Sequence, residues 1–153
     1  MARVERFEDL RVWQQGIELV KQIYRLTREG ALSKDFGLRD QLQRASVSIP
    51  TNIAEGFERS SRKEYVHFLN IAKGSTGEVR SLLRVALEID YINATQHHTL
   101  HKQALDLSRM LATQIRTLKN LPPPKKSSSL SPFPFIPNPL SLSFVPLTHL
   151  IPM

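Results

Sequence analysis

Acid–base or metal chemistry in this 153-residue chain would have to come from five histidines and 14 acids, with no cysteine to help. The absence of cysteine excludes disulfides, thiolate zinc sites, iron–sulfur clusters and thiol catalysis. Glu64-x-x-His67 is half of a carboxylate di-iron signature, which needs that motif on two helices and a glutamate on each of two others. No second copy follows in the last helical segment, and His67 falls between the apolar positions Tyr65 and Phe68, so a surface place is expected for it. His97 and His101 stand one helical turn apart beside His98, but no carboxylate lies within a turn to complete a metal site. Asn52, Glu55, Ser75 and Glu78 are polar residues on or beside apolar seams, with neither a nucleophile nor a phosphate loop nearby in sequence. They are expected to form a structural hydrogen-bond network, in which Glu55 or Glu78 pairs with an arginine such as Arg44 and Asn52 caps a break at Pro50. The expectation is a non-enzymatic protein with no catalytic residue, no metal and no cofactor.

The cations carry the stronger signal. Lys102, Arg109 and Arg116 recur every seven residues, as do Lys73 and Arg80, with Arg84 one turn further; Lys21, Arg25 and Arg28 share another face. Residues 1–120 hold 19 Lys and Arg against all 14 acids, a net of +5. Stripes of excess positive charge attract polyanions, so Lys73, Arg80, Arg84, Lys102, Arg109 and Arg116 are the candidate nucleic-acid-binding residues. Trp13, Tyr24, Tyr65 and Phe68 sit in apolar patterns, which leaves few aromatics for base stacking; binding should read phosphate and shape, as on structured RNA. The rival expectation is an assembly scaffold that recruits a partner protein without nucleic acid.

Four helical patterns must position these side chains. Leu10, Trp13, Ile17, Val20 and Tyr24 form one stripe over residues 9–28, and Val12, Gly16, Leu19, Ile23 and Leu26 form a second beside it. Two stripes exceed what one seam needs, so the arc serves either a deep bundle position or a subunit contact, with Leu19 and Ile23 as candidate contact residues and Trp13 as a core residue. After a polar connection, Leu38, Leu42, Ala45, Ile49 and Ile53 mark a second helix that Pro50 should kink or split and Gly56 should end. Ser61-Arg62-Lys63-Glu64 opens a third helix as a capping box, followed by Tyr65, Phe68, Ala72, Ser75, Val79, Leu82, Ala86 and Ile89. Gly74 and Gly77 within it suggest close approach of another helix. Leu100, Ala104, Leu107, Leu111, Ile115 and Leu118 define a fourth helix ending near Asn120. No period-two segment occurs, so the fold class is all-α, an up-down-up-down antiparallel four-helix bundle over residues 1–120.

Nine of the ten prolines lie in residues 121–153, which carry no acid; this second segment is expected to be a disordered Pro/Ser/Leu-rich tail, dispensable for folding. The first residues have neither an apolar run nor a cleavage site, and no stretch reaches the length of a membrane helix, so a cytoplasmic protein without membrane contact is expected.

Three blocks together are family-specific: Phe7-Glu8-Asp9-Leu10-Arg11-Val12-Trp13-Gln14; Gln41-Leu42-Gln43-Arg44-Ala45-Ser46-Val47-Ser48-Ile49-Pro50-Thr51-Asn52-Ile53-Ala54-Glu55-Gly56; and Phe68-Leu69-Asn70-Ile71-Ala72-Lys73-Gly74-Ser75, with Glu78. Over about residues 5–119 the chain resembles the four-helix-bundle family of 23S ribosomal RNA intervening-sequence proteins. The resemblance implies a bacterial protein that assembles into a ring-like homopentamer. The fold is also similar to the accessory variability determinant of diversity-generating retroelements, a basic pentameric barrel that binds nucleic acid and a reverse transcriptase. The tail lies outside the resemblance.

Overall fold

A computed structural model describes residues 4–123. A 3-10 turn, Phe7–Asp9, leads into α1 (Arg11–Leu26), and a second such turn, Ala31–Ser33, joins it to α2 (Phe36–Phe57). α3 (Arg62–Glu88) and α4 (Ala94–Asn120) complete four helices; no strand occurs among the described residues. The expected all-α class and four helices are thus present. The segment expected to be a disordered tail lies, from residue 124 on, outside the described residues.

Local chemistry sets the helix starts. The Asp35 carboxylate accepts the Leu38 N–H at 3.0 Å and caps α2. At α3 the Ser61 hydroxyl accepts from the Glu64 N–H at 3.2 Å and donates to the Glu64 carboxylate at 2.8 Å, so the expected box closes side chain to side chain. α4 begins further upstream than its apolar pattern suggests, on a reciprocal box: the Asn93 side chain accepts the Gln96 N–H at 2.8 Å, and the Gln96 side chain accepts the Asn93 N–H at 2.9 Å. α3 ends in a Schellman turn, with Tyr91 N–H on the Ala86 carbonyl at 2.9 Å and Asp90 N–H on that of Leu87 at 3.0 Å. That turn needs a left-handed residue, and Asp90 supplies it at φ 59°.

The core runs along all four helices through Leu19, Ile23, Leu42, Ile49, Ile53, Leu69, Leu83, Leu107, Leu111 and Leu118, each fully buried. α2 and α3 share the broadest seam, α3 packs along α4, α1 lies mainly on α2, and the α1–α4 seam is the thinnest. Side-chain hydrogen bonds tie each helix to the next: Gln43 donates to Thr27, just after α1, at 2.8 Å, Ser48 bonds Ser75 at 2.9 Å, and Gln114 donates to the Tyr65 hydroxyl at 2.8 Å. The Gln114 bond lies inside the bundle, where burial drives the Tyr65 phenol well above its ordinary pKa.

Several expectations are corrected here. In α1 the stripe of Val12, Gly16, Leu19 and Ile23 is the buried one, while Trp13 is only half-buried, so Leu19 and Ile23 belong to the subunit's own core rather than to an exposed contact. α2 is one continuous helix through Pro50 and Gly56. Pro50 is buried, facing Gly16, and the Val47 and Ser48 carbonyls in the turn before it gain side-chain donors, from Thr51 at 2.8 Å and Asn52 at 2.7 Å. Gly56 does not end the helix; a methyl there would stand 2.6 Å from Phe68 Cβ, so α2 and α3 touch backbone to backbone at this point. A methyl at Gly74 or Gly77 would meet nothing within 4 Å, so these glycines do not mark close packing inside the subunit. The α3 seam also contains Leu69, Thr76 and Leu83, while Phe68 is half-buried and Ile89 is 44% exposed. Leu32, in the connection expected to be polar, is buried.

Candidate nucleic-acid interface

The six candidate cations lie on α3 and α4, and acids sort them into two groups. On α4, Lys102 reaches Asp106 at 2.9 Å and Arg109 approaches the same carboxylate at 3.5 Å. The Lys102 hydrogen bond, aided by both positive charges, holds the Asp106 carboxyl below its usual range. Arg84 is ion-paired with Glu88 one turn along α3. These three cations are partly neutralised where they stand.

Among the described residues, Lys73, Arg80 and Arg116 have no acidic partner. Lys73 and Arg116 line one open groove of about 310 Å³ together with Lys119, Asn70 and Asn120. Ala112 and Ile115 form its floor, so long cationic stems lie on apolar surface with their heads in solvent. No acid lines it. Such a concavity of three ammonium and guanidinium groups with two amides suits a phosphodiester backbone, which accepts hydrogen bonds and counters charge without regard to sequence. Lys119, Asn70 and Asn120 were not singled out by the heptad pattern. Asn70 is three residues before Lys73 and Lys119 three after Arg116, so the i, i+3 neighbours of each stripe carry the missing signal.

Arg80 lies two turns beyond Lys73 on α3, where it acts on His101 across the α3–α4 seam. The His97 and His101 rings stack at 5.3 Å with 28° between their planes. Desolvation, then the neighbouring His97, Arg80 and His98, holds the His101 imidazole below its ordinary pKa. No three His, Asp or Glu side chains converge on a metal position among the described residues. His67 is exposed, with its ring edge-on to Phe68 at 5.6 Å.

The α1 cations are less suited to the task. Lys21 is paired with Glu18 at 2.9 Å, and Arg25 shares a groove with Glu29. The polar network between α2 and α3 is Asn52–Ser48–Ser75, the Asn52 amide donating to the Ser48 hydroxyl at 2.9 Å and that hydroxyl bonding Ser75. Glu55 is not part of it, nor does it reach Arg44: it pairs with Arg59 at 2.5 Å on the surface. Glu78 is likewise exposed and outside it.

A four-helix chain with a cationic α3–α4 face and motif blocks on α1, α2 and α3 defines a narrow class. The family model of the 23S rRNA-intervening sequence protein matches residues 8–113, and the chain belongs to that family. Among solved structures it is similar to a protein of unknown function from the S23 ribosomal protein family of Bacteroides thetaiotaomicron, at 25% identity and a TM-score of 0.64. That match covers 69% of this chain and 99% of the other. No curated protein matches it. No helix among the described residues is long and apolar enough to cross a membrane.

Proposed function

We propose that this protein is a non-enzymatic, self-associating bundle that binds structured RNA or another nucleic acid through the α3–α4 face. The observation that carries the reading is the groove in which Lys73, Arg116 and Lys119 meet with no acid on its walls. Membership of a family named for inserts in ribosomal RNA supports a nucleic-acid setting. Arg80 extends the same face, while Arg84, Lys102 and Arg109 contribute less because Glu88 and Asp106 offset them. A homopentamer, implied by the family resemblance, would repeat the groove around a ring and multiply its field.

A salt titration of binding to an RNA duplex tests the reading. Log affinity should fall linearly with log salt, at a slope of about −0.9 per phosphate contact on duplex DNA and of that order on RNA. The double variant Lys73→Glu, Arg116→Glu should bind all sequences more weakly and flatten the slope, and Lys102→Glu, Arg109→Glu should do less. Absence of binding at low salt to any structured RNA or duplex, with the assembly intact, would favour the protein-recruiting scaffold instead.

A further inference from the structure

Arg80, His97 and His101 bring three nitrogen-bearing side chains to one stretch of the α3–α4 seam. Arg80 Nε and His97 Nε2 are both shielded from solvent and have no hydrogen-bond partner among the described residues. A shielded N–H donor without an acceptor costs free energy, so most such donors in proteins are satisfied. Both belong to half-buried side chains, close enough to the surface for an incoming group to reach them by a side-chain turn.

The charges acting on His101 all have one sign. Arg80 faces His101 from α3, and His97 and His98 act on it from α4. Of the acids on these helices, Glu88 is engaged with Arg84 and Asp106 with Lys102 and Arg109, Glu78 is exposed, and none is among the charges acting on His101. Arg25 at the end of α1 and Glu29 just after it line a separate groove with Thr95, Gln96 and Thr99. An arginine fork beside two stacked imidazoles, with no carboxylate, is complementary to an oxyanion.

We propose that Arg80, His97 and His101 form a phosphate-binding position on the α3–α4 seam whose affinity rises when the imidazoles take up protons. The ligand's identity as a nucleic-acid phosphate rests on the reading given above. In the free protein desolvation, and then the neighbouring positive charge, opposes protonation of the His101 imidazole. A bound phosphate reverses the local sign, favours the imidazolium and turns each ring nitrogen into a donor. Binding and proton uptake are then reciprocal: each imidazole whose pKa rises by one unit on binding strengthens affinity about tenfold between neutral and acid pH. Lys73 lies seven residues before Arg80, about 10 Å along the helix, so one polyanion can engage both positions.

Histidine NMR titration of the full chain, with and without an RNA duplex and, separately, with inorganic phosphate, tests this. On duplex addition the His97 and His101 midpoints should move upward while that of exposed His67 stays in place. Affinity should then rise as pH falls from 8 to 5.5, a range in which phosphodiesters keep their charge. The double variant His97→Gln, His101→Gln should lose that rise, and His98→Gln should retain it. The same midpoint shifts with inorganic phosphate alone would support the site with free phosphate as its ligand. Duplex binding with unmoved midpoints and a pH response equal in wild type and double variant would overturn this site and leave the nucleic-acid reading standing. Absence of duplex binding at every pH would defeat that reading, and unmoved midpoints in phosphate would then defeat the site as well.

Discussion

Gly56 and Gly77 both lie within helices, yet their surroundings give them opposite expected responses to a methyl group. At Gly56 the added Cβ would lie 2.6 Å from Phe68 Cβ and 3.3 Å from the Tyr65 carbonyl, neither of which can swing away. Gly56→Ala should therefore destabilise by about 1–3 kcal/mol through forced separation of α2 and α3. Gly77→Ala meets nothing and should stabilise by about 1 kcal/mol through helix propensity. Urea denaturation of the two variants decides the contrast; a loss at Gly77 comparable to that at Gly56 would mean that a helix outside the subunit lies against α3. Asp90 offers a third test, because its φ of 59° is strained for a residue with a Cβ. Asp90→Gly should raise stability by about 1 kcal/mol, seen as a higher melting temperature. Sequence periodicity found the helices that hold these residues but misjudged the glycines, because spacing along one helix carries no information about which neighbour lies across from it. The cluster of Arg80 with His97 and His101 was only partly legible for the same reason: the two histidines stand one turn apart on α4, but Arg80 is at least 17 residues from either and meets them only once α3 packs on α4.

At the scale of the helix, α1 shows how far an apolar pattern can be read. Both of its stripes were visible, but only packing against α2 decides which one is inside, and the buried choice is Leu19 with Ile23. Leu19→Asp should consequently abolish folding or cost on the order of 4–5 kcal/mol, by placing an unpaired charge in the core. Trp13→Ala should cost less, since that indole is half-buried and packs on Phe7 with ring centroids 5.4 Å apart. Circular dichroism melts of the pair check the order. The end of α4 offers a second test. The Arg62 guanidinium donates to the Leu121 carbonyl at 2.8 Å and to that of Pro122 at 3.0 Å, tying the start of α3 to the residues just after α4. Leu121 also packs on the core. A chain ending at Pro123 should melt higher than one ending at Asn120, and equal melting temperatures would show that this clamp contributes nothing. The sequence marked the change of composition after Asn120 but gave no sign that the first residues beyond it are held.

For the molecule as a whole, charge was legible from the residue counts, whereas the division of cations into free and neutralised groups required the fold. An acid one turn away on the same helix, as Asp106 is from Lys102, could have been noticed in the sequence; the convergence of Lys73 with Arg116 could not. Self-association also belongs to this scale. α3 presents Ile71 at 38%, Val85 at 44% and Ile89 at 44% exposure on one face. Spacings of 14 and 18 residues bring them back to nearly the same angle on a helix of 3.6 residues per turn. If that face joins copies, Val85→Glu with Ile89→Glu should lower the molar mass measured by light scattering while leaving the melting temperature of the dissociated subunit close to that of the parent. A wild-type monomer mass at micromolar concentration would sink self-association altogether.

The thin α1–α4 seam has a consequence in time rather than in energy. α2 and α3 share the broadest contact and α3 is gripped by α4 as well, but α1 depends chiefly on α2. Local opening follows the least-engaged element, so the bundle should breathe by swinging α1 away from α4 more often than it unfolds as a whole. Amide protons of α1 should exchange with deuterium faster than those in the middle of α2 and α3. Within α1 exchange should be slowest around Gly16, where the helix rests on Pro50 and Ile49, and near Thr27, which receives its bond from Gln43.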